Sequence, residues 1–246
     1  MNVKAILRAT EHRPWPLPRA PWIMVQIWHD LLFAHWTIPS QVMRQHVPAE
    51  LPLDLFDGLA WIGIVPFRMS GVRPRWLPPL PGFSQFPELN VRTYVILDNK
   101  PGIYFFSLDA ANLSAVWAAR ALYHLPYFHA RMRVHAAGNN ISYSSYRYGS
   151  NAVLECNYEP NGPVELRARG TLDYWLTERY CLYTVYESRV YRCEIQHRPW
   201  PLQNASAHFQ KNTMAAAANV GLPDEKPLLH FSKRQEVLIW PLTLVT

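Results

Sequence analysis

Short β-rich runs separated by tight-turn signals occur along most of this chain, and they limit the folds open to it. The clearest case is residues 88–110, where two runs rich in β-branched and aromatic residues flank the turn sequence Asp98–Gly102. Four further strand-like runs follow between residues 127 and 170, again punctuated by Gly, Asn and Pro. Many short strands with few helices predict a mainly β (α+β) fold, an antiparallel β-barrel or closed sandwich with a few short helices.

Helices are predicted where helix-favouring residues are bounded by capping residues or prolines. They cover residues 38–48, 111–126, 171–179 and 212–223. Asn112 is the expected N-cap of the second helix, and Asn212 and Gly221 are expected to bound the fourth. Because no linker-like segment interrupts the chain, residues 1–246 are predicted to form one domain, with residues 1–21 as a proline-rich N-terminal arm.

Composition narrows the classes of function. Hydrophobic residues make up 49% of the chain, enough for a substantial core. The net charge is +6, but the basic residues are dispersed and only five are Lys, so no nucleic-acid partner is predicted. Three cysteines without CxxC spacing predict reduced thiols and a cytoplasmic protein. Since no apolar run reaches the ~18 residues of a membrane-spanning helix, no membrane partner is predicted either.

Three polar residues alternate along the first strand of the 88–110 hairpin. Glu88, Asn90 and Arg92 occupy positions i, i+2 and i+4, which places all three on one face of a strand. An ordinary solvated face is one interpretation. The other is a face directed into an internal cavity, where these groups would contact a ligand.

The second strand of the hairpin carries two more polar candidates. Ser107 and Asp109 are predicted to share a face with Ile103 and Phe105. We predict that both line the same ligand site as the three residues of the first strand.

Arg120 is the last candidate, because it lies on an apolar stripe of the 111–126 helix with Leu113 and Trp117. The opposite face of this helix is also apolar, which predicts a buried helix and an Arg120 side chain directed into protein. A buried guanidinium needs an acidic partner or a bound anion. Glu88 and Asp109 are the nearest acidic candidates, and a purely structural ion pair between helix and sheet is the alternative.

No motif for a metal, a nucleotide or an activated serine is present. The spacing of the histidines matches neither HExxH nor a mixed Cys/His zinc pattern. GxSxG, GxGxxG and P-loop sequences are absent as well. We therefore predict no metal and no cofactor, and leave the catalytic residues, if there are any, unassigned. The histidines in question are His29, His35, His46, His124, His129 and His135.

Several long stretches resemble one family. They closely resemble, in the same order, the YqjF-like family of uncharacterised bacterial proteins. These stretches are PWIMVQIWHDLLFAHW, FPELNVRTYV, PGIYFFSLDA, ARALYHLPYFHARM and LTERYCLYT. That family is grouped with the acetoacetate decarboxylase-like superfamily. The resemblance covers nearly the whole chain and implies a β-barrel-like domain with an internal cavity, without a settled activity.

The comparison with the decarboxylases makes a prediction about lysine. The resemblance implies that their Schiff-base lysine would fall within residues 112–132, but this segment contains no Lys and carries Arg120 instead. An arginine remains protonated and cannot act as that nucleophile. We therefore predict that Schiff-base decarboxylation is absent.

Three functions remain open from the sequence. The first is an internal site for a small carboxylate or carbonyl compound, with enzymatic turnover undecided. The second is non-catalytic sensing on the same scaffold. The third is a protein-interaction module that uses proline-rich segments such as Pro18–Pro21, with a PxxP spacing. A homo-oligomer is compatible with all three.

The sequence HRPWPL occurs twice, at residues 12–17 and 197–202. The flanking sequences do not align, so the copies do not indicate a duplicated domain. Each proline keeps the preceding residue out of the helical region, which predicts two stiff corners that each hold one Trp against the barrel. His197 ends a strand, and it is the one member of these copies expected near a cavity.

Overall fold

The computed structural model describes residues 1–79 and 84–245, and strands dominate it. The helices are α1 (Val3–Arg8), α2 (Ser40–Arg44), α3 (Leu113–Tyr123), α4 (Leu172–Thr177) and a 3-10 turn (Ala216–Ala218). The first six strands are β1 (Met24–Ile38), β2 (Ala60–Pro74), β3 (Phe86–Leu97), β4 (Lys100–Ala110), β5 (Tyr127–Ala137) and β6 (Asn140–Arg147). The other strands are β7 (Val153–Glu165), β8 (Cys181–Tyr186), β9 (Arg189–Gln196), β10 (Leu202–Asn212) and β11 (Leu228–Leu244).

The strands close into two rings that share five members. One ring runs through β1 to β7 and returns through β10 and β11 to β1. The second runs through β1 to β4 and returns through β8, β9 and β11. The pairings of β4 with β5 and with β8 are parallel, whereas the other pairings are antiparallel. The mainly β closed architecture predicted from the strand pattern is confirmed.

Strands β1, β2 and β3 form a wall shared by the two rings, and each face of this wall contacts a different interior. Leu89 and Val91 of β3 face the first ring, where they belong to one apolar cluster with Tyr143 and Tyr158 of β6 and β7. We call this interior the filled core. The neighbouring positions of β3 face the second ring, which encloses a cavity. The alternation of a strand thus assigns successive residues to two different interiors.

A β-bulge in β4 reverses its alternation halfway along the strand. Arg92 of β3 pairs with Phe105, but the next residue, Val91, pairs with Ser107. The extra residue, Phe106, shifts every later side chain of β4 to the opposite face. Strict alternation would place Ile103, Phe105, Ser107 and Asp109 on one face. The bulge instead leaves Ile103 and Phe105 on the cavity face and turns Ser107 and Asp109 to the opposite face.

Four local expectations are wrong. The last predicted helix is only a 3-10 turn, ended by Asn219 in the left-handed conformation, and the polar run before it is the strand β10. The proline-rich arm begins with the unpredicted helix α1, in which Asn2 caps the amide of Ala5. Helix α3 begins at the predicted cap Asn112, but it lies on the outside of the rings with Leu113 and Trp117 exposed. Strand β7 ends at Glu165, so the predicted strand over residues 164–170 does not form.

The two HRPWPL copies meet at Tyr180. The ring of Tyr180 packs against His12, Trp15 and His197, with centroid distances of 5.4, 6.4 and 4.7 Å. The Nε2 of His12 lies 2.7 Å from the carbonyl oxygen of His197. Trp200 of the second copy is buried, whereas Trp15 of the first is half-buried. The copies are therefore two parts of one contact, with an aromatic ring between them.

Within the described residues, no helix combines the length and the apolar character that crossing a bilayer requires.

Candidate functional site

The second ring encloses a cavity of about 710 Å3. All seven strands of the ring contribute to its lining, and helix α3 covers one side. Most lining side chains are apolar or aromatic. They include Trp28, Phe33, Phe67, Met69, Phe86, Phe105, Leu108, Tyr123, Trp200 and Ile239. Large cavities of this kind, with a few polar groups, are typical of small-molecule sites.

Glu88, Asn90 and Arg92 line this cavity on successive inward positions of β3. All three are buried, with exposed fractions of 3%, 5% and 7%. A solvated face is therefore excluded for these residues, and the shared face predicted from their spacing is correct. Their role in binding remains a prediction.

Arg92 lacks a carboxylate partner within ion-pair distance among the described residues. Its guanidinium lies over the ring of Phe33, 5.3 Å from the centroid, and one terminal nitrogen is 3.5 Å from the carbonyl oxygen of Leu176. Its Nε has no hydrogen-bond partner in the described part of the chain, and neither does Oδ1 of Asn90. A buried cation without an anion is unfavourable, so this end of the cavity favours an anionic ligand.

Glu88 is held in its neutral form by its surroundings. Burial raises the pKa of its carboxyl to about 8, a hydrogen bond from the Tyr127 hydroxyl opposes the shift, and the charge of Asp109 adds to it. The Tyr127 hydroxyl donates to Oε2 of Glu88 over 2.9 Å. At neutral pH the side chain therefore carries a proton that it can donate to a carbonyl or carboxylate oxygen.

A second arginine, Arg179, reaches the same end of the cavity from the segment after α4. It is ion-paired with Asp54, and its Nε donates to the carbonyl oxygen of Trp175 over 2.7 Å. Its guanidinium also packs over the rings of Tyr94 and Trp175. Asp54 balances the charge of Arg179, whereas Arg92 has no carboxylate partner among the described residues.

His197 lines the cavity beside Trp200, as its position at a strand end predicts. Burial lowers the pKa of its imidazole to about 4, so the ring is neutral at neutral pH. The cavity thiols of Cys181 and Cys193 have raised pKa values because they are buried, and they remain protonated as well. Neither sulfur is activated as a nucleophile.

Ser107 and Asp109 do not line the cavity. Both are buried, but the bulge at Phe106 turns them to the filled core, while Leu108 faces the cavity. Asp109 is ion-paired with Arg147, with its Oδ1 2.9 Å from Nε and 2.7 Å from a terminal nitrogen. The prediction that these two residues share a face with Ile103 and Phe105 is wrong, because one extra residue reverses the alternation.

Arg120 is also outside the cavity. Its side chain is exposed, its Nε donates to the carbonyl oxygen of Tyr127 over 2.6 Å, and its guanidinium lies over Phe128. The expectation of a buried guanidinium with an acidic partner is wrong, because α3 directs its alanine-rich face inward. Ala115 and Ala119 lie on that inward face.

Sequence reasoning missed Tyr127, Arg179 and Trp28. Tyr127 is the first residue of β5 and Arg179 follows α4, so each lies at the end of an element, where a strand or helix period predicts the direction of a side chain least well. Trp28 lies in the long strand β1, whose almost continuous apolar run gives no alternation to interpret.

The described lining of the cavity offers neither a metal-binding cluster nor a lysine. No cluster of three or more His, Cys, Asp or Glu suited to a metal occurs in residues 1–79 and 84–245. None of the five lysines is among the described residues that line the cavity. Lys100, in the β3–β4 turn, instead forms an ion pair with Glu194.

Comparisons with solved structures place the fold. The enduracididine biosynthesis enzyme MppR complexed with pyruvate has a TM-score of 0.63 at 9% sequence identity, covering 95% of this chain and 93% of that one. Acetoacetate decarboxylase from Legionella pneumophila has a TM-score of 0.63 at 11% identity, covering 96% and 94%. At these identities the likeness shows a common acetoacetate decarboxylase-like fold.

Comparisons of sequence place the family. Among curated proteins, the uncharacterised protein YqjF of Bacillus subtilis (strain 168) is 48% identical over 227 residues, which is 92% of this chain and 94% of that protein. A model of the DUF2071 family, described as an uncharacterised conserved protein, matches residues 25–236. The chain therefore belongs to the DUF2071 family, together with proteins like YqjF, and has an acetoacetate decarboxylase-like fold.

Proposed function

We propose that the cavity binds a small organic compound with a carboxylate or carbonyl group, and that Arg92 is its principal polar contact. The observation that carries this proposal is that buried arginines differ in whether a carboxylate of the chain pairs with them. Arg179 has Asp54 and Arg147 has Asp109, but Arg92 has no carboxylate partner in the described residues. A ligand anion would supply the missing charge.

Glu88 and Asn90 supply the neutral part of the proposed site. With its pKa near 8, Glu88 is a proton donor at neutral pH, and Tyr127 fixes one of its oxygens. Asn90 adds an amide beside it on the same face of β3. Together they would hydrogen-bond to carbonyl or carboxylate oxygens without adding a negative charge that repels the ligand.

The fold comparisons support an oxo acid as the first probe. One structural neighbour is complexed with pyruvate, and another is named for the decarboxylation of acetoacetate. Both compounds combine a carboxylate with a ketone, which is the combination that Arg92 and Glu88 suit.

We further propose that binding does not involve a Schiff base. The absence of lysine from the described lining residues supports this, because a Schiff base needs a primary amine. Non-catalytic sensing is the second candidate on the same observations, since the described lining offers no activated nucleophile.

Calorimetric titration with pyruvate and acetoacetate tests the binding proposal. Arg92→Gln should weaken binding of both acids at least tenfold, because the substitution removes the charge, whereas the matched Arg120→Gln should bind them like the unaltered protein. Equal losses in both variants, or unchanged binding in Arg92→Gln, would contradict the proposed role of Arg92.

Turnover is measured with the same protein. Acetoacetate is incubated with the protein and the remaining acid is quantified. A second sample is treated with borohydride, and the mass of the protein is measured by mass spectrometry. Binding without loss of acetoacetate supports sensing, and loss of acetoacetate without a borohydride adduct supports an enzyme of another mechanism. A stoichiometric adduct on a lysine would contradict the proposal that no Schiff base forms.

A further inference from the structure

The size of the cavity does not match a compound as small as pyruvate. Its volume of about 710 Å3 lies in the range of roughly 300–1,000 Å3 that is typical of sites for drug-sized ligands. A three-carbon acid at Arg92 would leave most of this apolar lining without contact. Apolar surface that a ligand can cover contributes affinity, so the lining itself indicates a larger ligand.

The two ends of the cavity differ in exposure to solvent. Arg92 is at the buried end, beside Leu176 and Phe33. The other end opens to solvent between α3 and residues 75–79, where the lining residues Trp76 and Leu122 are 82% and 68% exposed. We call this opening the mouth.

The direction of β3 fixes the separation of the two ends. Moving from Arg92 back to Phe86 covers six residues, which is roughly 20 Å of strand. Phe86 pairs with Met69 of β2, and β2 continues for five further residues to Pro74 before the chain reaches the mouth. Between the two ends the lining is mainly aromatic and aliphatic, interrupted on β3 by Glu88 and Asn90.

We propose that the natural ligand is an elongated carboxylic acid with an extended apolar chain or aromatic tail. Its carboxylate lies against Arg92, and its apolar part follows the cavity past Phe86 to the mouth. This inference rests on the proposed function, because it extends the ligand of the same site. It adds the class of compound, an acid with far more apolar surface than pyruvate or acetoacetate.

A series of linear acids tests the inference directly. Binding of butanoate, octanoate and dodecanoate is measured by calorimetry, with dodecanol as the uncharged comparison. Affinity should rise about threefold to fourfold for each added methylene group until the chain reaches the mouth. Dodecanol should bind at least tenfold more weakly than dodecanoate, and Arg92→Gln should remove most of this difference.

A pair of substitutions on α3 locates the chain. Ala118 lines the outer part of the cavity, whereas Ala121, also exposed on α3, does not. Ala118→Trp should weaken dodecanoate at least tenfold more than butanoate, because the indole occupies the space of the distal carbons. Ala121→Trp should leave the ratio of the two affinities as it is in the unaltered protein.

The outcomes separate this inference from the function on which it rests. If butanoate and pyruvate bind in an Arg92-dependent way but affinity does not rise with chain length, the elongated ligand is excluded and the proposed function stands. If long acids bind as tightly to Ala118→Trp as to Ala121→Trp, the path to the mouth is wrong. If no acid of any length binds, both proposals fail.

Discussion

The filled core and the cavity bury charge in different ways. In the filled core, Asp109 of β4 and Arg147 of β6 form an ion pair at 2.7 Å. In the cavity, Arg92 of β3 has no anion among the described residues, and Glu88 stays protonated instead of pairing with it. One interior thus holds an arginine with its counter-ion, and the other holds an arginine without one in the described part of the chain. The difference indicates which interior is built for packing and which for a ligand.

The largest expected effect comes from breaking the complete pair. Asp109→Asn should lower the free energy of unfolding by about 3–5 kcal/mol, because it leaves Arg147 buried without a counter-charge. Urea unfolding measures this change. The double variant Asp109→Leu with Arg147→Met should recover most of the loss, since both charges are then absent. A small loss in the single variant would show that the ion pair does not distinguish the filled core.

The next effect concerns Glu88 and pH. Its folded pKa of about 8 exceeds the ordinary value of 4.5, so the proton is bound more tightly in the folded state. The resulting stabilisation is complete below about pH 4.5 and is lost as pH rises through 8, by at most about 5 kcal/mol. Glu88→Gln should remove this part of the pH dependence.

Urea unfolding of both proteins at several pH values between about 4.5 and 9 measures the effect, as the difference between the two stability curves. Acid binding should also weaken above about pH 8 in the unaltered protein, because ionised Glu88 repels the ligand, but not in Glu88→Gln. Parallel stability curves would mean that Glu88 is not held neutral.

A smaller effect is expected at Gly63, which lies opposite Arg92 on β2. A Cβ at this position would be 3.0 Å from Cδ2 of His35 and 3.3 Å from Cγ of Arg92. Gly63→Ala should displace the Arg92 side chain, weaken binding of acids severalfold and cost roughly 1–3 kcal/mol of stability. Calorimetry and urea unfolding measure the two effects. If acid binding is unchanged while stability falls, Arg92 is not the ligand contact.

The smallest effect is expected for Arg120→Gln. The exposed side chain makes one hydrogen bond to a backbone carbonyl, so the free energy of unfolding should change by less than about 0.5 kcal/mol. Thermal unfolding provides the measurement. A change as large as that of Asp109→Asn would place Arg120 in the same class as the buried arginines and contradict the exposed position.

The sequence was most informative where a simple period operates without interruption. Glu88, Asn90 and Arg92 share a face because β3 is regular over these residues, and period two alone predicts it. The closed β architecture follows from the same signal repeated along the chain. The sequence also predicts that Asn112 caps the start of α3, and in the structure its side chain accepts a hydrogen bond from the amide of Ala115.

The errors arose where tertiary structure overrides a local pattern. Nothing in the residues around Phe106 marks a bulge, so strict alternation predicts the wrong face for Ser107 and Asp109. The apolar residues on both sides of α3 likewise predict a buried Arg120, which the structure contradicts. Which side of such a helix faces inward depends on the opening that it covers, and the alanine-rich side fits closely over the cavity.

The bulge at Phe106 also has a consequence for how this scaffold can change. It makes β4 contribute Phe105 and Leu108 to the cavity and Ser107 and Asp109 to the filled core. Which interior receives each side chain is therefore set by the pairing register of the strand, and not only by residue identity. If the same residues paired without the bulge, the two sets would exchange, and the Asp109 carboxylate would lie opposite Glu88 on the cavity face without any substitution. In this fold, the register of one strand determines the chemistry of the site as directly as the identity of a residue does.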